Sequence, residues 1–407
     1  MKNRNLKQIK RALLGVLAVA LLLFLFSSIS CSLKQKDIVF ESKYSFNLDE
    51  KKESIPLSTF FKNPETIILE TNNDCLIGRI DELQVFDGCI YVLDMYFAKS
   101  LLTFDKDGRF IRKIGGIGNG PGEYIKLLDF TLDTENRFIF LLDYGQRVHK
   151  YQLDGTFIQT ITPNLLRSNI TNIQYYKKKL YLNVEAFNSS PDDYMLIEVD
   201  PDNGKIYSSY LPLHYNKGWD KLLSRGHSVF MSRLNSPPLY TRLFMDYIVA
   251  IGEETSAYIE LKSKFLSNEE DLENFPEITD FEKFSKAVED FSKVWDVHSY
   301  VENYNFIMFW YRYDRTYNNL IFNKKTHEVR IIEFFINDLI FRNDQKGFRG
   351  FAFSDSKGSY SILQNVSIKS FQTSIKNNEV VYDFDKLDQL MKLDDDSNPV
   401  IFFYEFK

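Results

Sequence analysis

A chain of 407 residues that is 44% hydrophobic and 26% charged can bury a sizeable core, which excludes a disordered tail or a mini-protein held by staples. Only 3 Cys exclude a disulfide-built scaffold, while 24 Tyr, 36 Phe and 3 Trp suit pleated, half-buried surfaces and so favour an all-β fold. The formal charge is −6 even though the first 30 residues hold five cations and no acid, so the rest is more acidic still and bulk nucleic-acid binding is excluded.

Those five cations, Lys2, Arg4, Lys7, Lys10 and Arg11, precede the uncharged apolar run Ala12 to Phe26 and the small-residue stretch Ser27 to Ser30. This is the order of a secretory signal, and the apolar run is shorter than the ~20 residues of a membrane span. Cys31 after Ser28-Ile29-Ser30 resembles a bacterial lipobox with Ser28 in the place of the usual Leu. That resemblance implies removal of residues 1–30 and lipidation of Cys31 by two or more chains, enough for stable attachment where one would be marginal. Residues 31–64 then read as a lipidated tether. No acidic run follows the cysteine, Ser32-Leu33-Lys34-Gln35-Lys36 coming first, so the expected location is the outer membrane on its periplasmic face.

Internal repeats set the fold. Ile90-Tyr91-Val92-Leu93-Asp94 followed by Leu102 to Ile114 matches Ile139-Phe140-Leu141-Leu142-Asp143 followed by Val148 to Ile161, with Asp107-Gly108 and Asp154-Gly155 at equivalent places. A weaker third copy runs from Leu180 to Asn203-Gly204. The spacing is that of four-stranded propeller blades. Each Asp-Gly predicts a two-residue hairpin, whose central positions need positive φ, as does Asp87-Gly88. Residues 75–114 form one complete unit, and fainter units lie at 240–261, 305–335 and 347–375, which makes six. Between the fourth and fifth, residues 267–295 place Phe281, Phe284, Val288, Phe291 and Trp295 at spacings of three and four, predicting a helical insertion with an apolar stripe. The fold class is therefore an all-β six-bladed β-propeller over 65–407, closed by pairing of Thr66 to Glu70 with Val400 to Phe406.

Phe104-Asp105-Lys106-Asp107-Gly108, Ile114 to Tyr124, Asp129-Phe130-Thr131-Leu132-Asp133 and the terminal Asn398-Pro399 to Lys407 carry a resemblance to bacterial six-bladed propeller lipoproteins related to the NHL-repeat propellers. It implies a fold and a cell-envelope location and brings no catalytic residues.

The Gly115 to Gly122 stretch matches no phosphate-loop pattern and contains Pro121, so it reads as a bend between blades. Glu123 and Tyr124 at its end, with Arg79 and Arg349 entering the innermost strands of the first and last blades, are the candidate ligand-binding residues, because two arginines beside an acidic, aromatic loop suit a carboxylate or sugar acid. The alternative role for all four is pinning blades and loops together. The five His are isolated and the chain lacks His-Glu-x-x-His and Cys-x-x-Cys, so no metal or cofactor is expected from local motifs. Gly226-His227-Ser228 lacks the second glycine of a nucleophile elbow, and Asp394-Asp395-Asp396 offers too few ligands for calcium. Cys75 and Cys89 are expected as thiols, with a bond between them as the alternative. Two functions remain open: a membrane-tethered binding module for a glycan, peptide or envelope protein, or a propeller-type hydrolase or lyase with a channel metal.

Overall fold

The computed structural model describes residues 34–36, 38–50, 52–165, 168–186, 193–219, 229–231, 233, 236–252, 254–275, 281–289, 291–313, 316–342, 348, 350–381 and 386–407. Two units result, Met1–Gln35, of which a two-residue strand is described, and Lys36–Lys407, which contains the blades. Cys31 and the signal segment lie outside the described residues.

Six antiparallel sheets make six blades, and their innermost strands neighbour one another about an axis. Blades 1 and 2 are Glu82–Phe86, Cys89–Asp94, Ser100–Asp105, Phe110–Ile114 and Leu127–Asp133, Phe138–Asp143, Val148–Gln152, Phe157–Ile161. Blade 3 runs from Ser168–Tyr176 to Ile206–Pro212, blade 4 from Phe230–Met231 to Ser256–Lys262, and blade 5 from Val294–Glu302 to Val329–Ile336. Blade 6 takes Phe353–Ser354, Gly358–Leu363 and Val400–Glu405 from the end of the chain and Glu65–Ile68 from its beginning. Val400 faces Ile68 and Phe403 faces Glu65 in this last pairing, so the ring closes as expected. A core cluster fills each junction between neighbouring blades, for example Tyr91, Leu101, Tyr124, Phe130 and Tyr151 between blades 1 and 2, and Ile401 and Tyr360 against Leu83 and Val92 between blades 6 and 1. Each blade is apolar on both faces because each face meets a neighbour.

Four expectations need correction. Residues 31–64 are not a tether throughout: Tyr44–Asn47 adds a fifth, parallel strand to blade 4 and Lys52–Pro56 does the same to blade 5. The cause is an alternation of apolar side chains, with Phe46, Leu48, Ile55, Leu57 and Phe61 all buried. The insertion between blades 4 and 5 holds two helices, Glu269–Glu273 and Phe281–Glu289, whose Leu272, Phe284 and Val288 pack with Trp219, Phe244 and Phe275. Trp295 is not on a helix but on the innermost strand of blade 5, packed against Phe284. A second helical excursion, Asn365–Lys376, interrupts blade 6 where strands were expected; it buries Ile368 and packs Phe371 with Phe402 and Leu390. At the turns, Asp87-Gly88 has positive φ at both positions, as a two-residue hairpin requires. At Asp107-Gly108 only the glycine does; the loop is longer, closed by Gly108 N–H on the Asp105 carbonyl, with an irregular register beside it at Thr103 and Phe104.

Candidate functional site

The innermost strands surround an axial channel, in which an upper cavity of about 210 Å³ adjoins a lower one of about 200 Å³ through the shared residues Gln84, Gln174, Phe353 and Ser354. In Glu82–Phe86, Leu83 packs into the core between blades 6 and 1 while Glu82 and Gln84 line the upper cavity with Asp81. His298, Ser299 and Tyr300 of blade 5 line it as well, and the aromatic faces come from Phe230, Tyr300, Phe351 and Phe353. The lower cavity is of mixed charge, with Asp133, Glu135 and Asp355 alongside Lys177 and Arg233.

The chemistry of the upper cavity centres on two carboxyl groups. Glu82 hydrogen-bonds Asp129 on the next blade and accepts 2.9 Å from Gln84 Nε2. Asp129 is buried and accepts from the backbone N–H groups of Phe130 at 2.8 Å and Ile173 at 2.9 Å. Burial, and then the adjacent Asp129 charge, push the Glu82 carboxyl well above the usual range, while burial also raises Asp129 against the lowering hydrogen bonds from Glu82 and the backbone. A hydrogen bond between two carboxyl groups needs a proton on one of them, and burial together with the Asp129 charge favours its residence on Glu82. Asp81 of the same cavity accepts 2.6 Å from Arg79 Nε and 2.7 Å from the Met95 N–H, and burial lifts its pKa.

Between blades 4 and 5, Glu302 is ringed by the hydroxyls of Tyr258 and Tyr300, both at 2.8 Å, Lys324 Nζ at 2.7 Å and Arg233 Nη1 at 3.1 Å. Burial opposes its ionisation, yet Lys324 and the two hydroxyls hold it down to about 2. This is a fixed anion that ties two blades together beside the channel.

The predicted site residues do not form one constellation. Arg79 is paired with Asp81, which lines the upper cavity, and stacked over Tyr96 at 4.8 Å. Glu123 turns back to accept 2.8 Å from the Gly120 N–H, pinning the glycine loop. Tyr124 is fully buried between blades 1 and 2, its pKa pushed up to about 12 by burial, so it faces core and not ligand. Arg349 lies outside the described residues, as does His227. Cys75 and Cys89 are free thiols whose pKa values burial raises. No group of three His, Cys, Asp or Glu among the described residues comes together as metal ligands. His149 is buried, with Nε2 3.1 Å from Asp143 Oδ2 and Nδ1 3.0 Å from Thr160 Oγ1. Glu82 and Asp129 were missed, although polar residues at alternate positions of a unit's first strand, Glu82 and Gln84, Asp129 and Thr131, are the signal that marks an axis-facing edge.

A family model described as a domain of unknown function, DUF4934, matches residues 43–405. The chain belongs to the DUF4934 family. The matched span opens at the first added parallel strand, Tyr44–Asn47, and ends with the closing strand Val400–Glu405, so the DUF4934 unit includes the added strands as well as the six blades. Comparison with curated proteins finds no match. Among solved structures, the DUF4934 propeller is similar to a protein described as exported from Bacteroides fragilis NCTC 9343, with a TM-score of 0.69, 18% identity, and 89% of this chain and 99% of that one covered. It also matches a DUF4221 family member from Bacteroides vulgatus, with a TM-score of 0.49 and 13% identity over 85% of this chain and 97% of that one. The first of these likenesses supports the fold.

The DUF4934 chain exposes large apolar side chains on adjoining loops of blades 1 and 2. Tyr96, Phe97, Ile125 and Tyr144 are 39%, 69%, 52% and 59% exposed. They are connected: Arg79 and Lys126 both stack over Tyr96, at 4.8 and 5.0 Å, and the Tyr144 N–H bonds the Lys126 carbonyl. Phe97 covers Gly78 so closely that a β-carbon there would meet the ring at 2.2 Å. Asp94 holds this corner by accepting from the backbone N–H groups of Gly78, Tyr96 and Phe97.

Proposed function

We propose that this DUF4934 protein is an exported, lipid-anchored binding module of the cell envelope whose ligand enters the axial channel past the aromatic loops of blades 1 and 2. The observation that carries the reading is the cavity itself, enclosed by rigid strands and walled by aromatic rings and convergent polar groups, the usual make-up of a small-ligand site. Exposed aromatic side chains linked to its lining through Arg79 and Asp81 supply a contact surface of the kind that marks interaction sites. Export draws support from the Cys31 segment and from the exported description of the similar Bacteroides fragilis structure. The likeness to NHL-repeat propellers in blades 1 and 2 fits the same role. Binding is tested with a glycan and peptide panel on the full chain: ligands that protect Phe97 and Gln84 from exchange or cross-linking support the reading, and ligands bound only on the outer rim overturn it. Anchoring is tested by Cys31→Ala, which should leave the protein uncleaved or release it from membranes; unchanged retention at the mature mass refutes lipidation. Protease added to intact cells should leave it undigested if it faces the periplasm.

A second reading draws on the Glu82–Asp129 pair alone. A carboxylic acid kept neutral beside a carboxylate is equipped to donate a proton, which would make the channel a hydrolase or lyase site. Turnover of a panel member that disappears in Glu82→Gln would favour it.

A further inference from the structure

We propose that the upper axial cavity takes a small organic ammonium ion, which pairs with the Glu82 carboxyl group among the aromatic side chains that line it. The inference deepens, and rests on, the binding-module reading. At about 210 Å³ the cavity lies below the roughly 300–1,000 Å³ of drug-sized ligand sites, so it suits a compact ligand. Its walls offer two features that a cation uses together. Phe230, Phe351 and Phe353 line it with aromatic rings, whose quadrupole attracts a positive charge over a ring face, and more so when water is excluded. Glu82, on the innermost strand of blade 1, lines the cavity with no cation among its hydrogen-bond partners, being held by Gln84 and Asp129.

The remaining charged and titratable groups around Glu82 are compatible with this. Asp81 already has Arg79 as counter-ion. Asp129 on blade 2 is held by backbone N–H groups and by Asn172 of blade 3. On blade 5, His298 and Tyr300 line the cavity, and the Tyr300 hydroxyl is turned away to donate to Glu302. Burying two carboxylates side by side is costly, and an ion pair with an entering ammonium replaces the proton that otherwise relieves that cost. The exchange balances: one ammonium enters, one proton leaves the Glu82 carboxyl for solvent, and the net charge of the site is unchanged. Affinity must therefore rise with pH while Glu82 is still protonated in the empty site, about tenfold per pH unit.

The probes are n-butylammonium, tetramethylammonium and, as a neutral control of similar shape, n-butanol, titrated calorimetrically into the full chain in detergent. Proton release is followed with an indicator dye in weakly buffered solution at several pH values. The expected result is saturable binding of at least one ammonium ion, release of about one proton per ion bound, and the tenfold pH dependence. Glu82→Gln, which preserves shape and the Gln84 contact, should abolish proton release and flatten the pH dependence while the thermal melt shows the variant folded. Binding without proton release, or release that persists in Glu82→Gln, overturns the proposal. If n-butanol binds in the cavity and neither ammonium does, the cation inference fails while the binding module stands. If a glycan or peptide binds only on the outer rim, the module reading fails by itself.

Discussion

Asn398 shows how much one side chain settles in this ring. Fully buried, it donates 2.6 Å to the Glu70 carbonyl and 2.8 Å to the Cys75 carbonyl and accepts 2.7 Å from the Ile77 N–H, so one amide satisfies three backbone groups of the segment that leads from the closing strand into blade 1. Asn398→Ala leaves those groups buried without partners and should cost about 3 kcal/mol, at roughly 1–3 kcal/mol per orphaned group with partial relaxation. Equilibrium urea unfolding measures it, and a loss below about 0.5 kcal/mol would show that water replaces the amide. Glu302 makes the opposite kind of contribution, through charge. Its folded-state pKa, held near 2, lies below the ordinary carboxylate value of 4.5, so the stability it adds is complete above about pH 4.5 and disappears as pH falls through about 2. Glu302→Gln should therefore lower the melting temperature at pH 7 and narrow the gap to the parent as the pH approaches 2; a constant gap across that range would refute the assignment.

Among the elements, the two added strands change how the N-terminal part of the chain is understood. Tyr44–Asn47 and Lys52–Pro56 cover the outer edges of blades 4 and 5 in parallel, and Arg330 of blade 5 answers Glu53 with its Nη2 at 2.7 Å. An uncovered edge is a template for foreign strands, so covering it protects against association as well as burying apolar surface. Phe46 is the clearest anchor, stacked on Tyr44 and in tilted contact with Phe309 and Phe322. Phe46→Ala should destabilise by about 3 kcal/mol, in the usual range for a buried aromatic, and should make residues 44–47 exchange amide hydrogens faster than blade 4 itself. Equal exchange in both would mean that the added strand and the blade open as one unit.

For the whole molecule, closure is the decisive contact. Glu65–Ile68 and Val400–Glu405 come from opposite ends of the chain, and Ile401 and Tyr404 carry the core on both sides of that blade. Deleting Val400 to Lys407 removes the third strand of blade 6, leaves Gly358–Leu363 and Glu65–Ile68 as open edges, and should yield soluble aggregates on size-exclusion chromatography. A monomer of native compactness would refute the velcro role.

Six blades, an all-β class and closure by the termini were legible because they rest on local alternation, on turn residues and on a repeat that strand geometry imposes at short range. The same signals put Arg79 just before an innermost strand, Glu82–Phe86. They misjudged Tyr44 to Pro56, where two short alternating runs among charged residues look like linker until a sheet edge is available to pair with them. Tyr124 passed for a ligand contact because a loop-end tyrosine is the same in sequence whether it points to solvent or into the junction of two blades. Glu82 and Asp129 stand 47 residues apart, and only the curvature of the ring brings their carboxyl groups together, where burial raises both pKa values. Strand identity is decided by neighbours along the chain; a carboxyl pair is decided by neighbours in space.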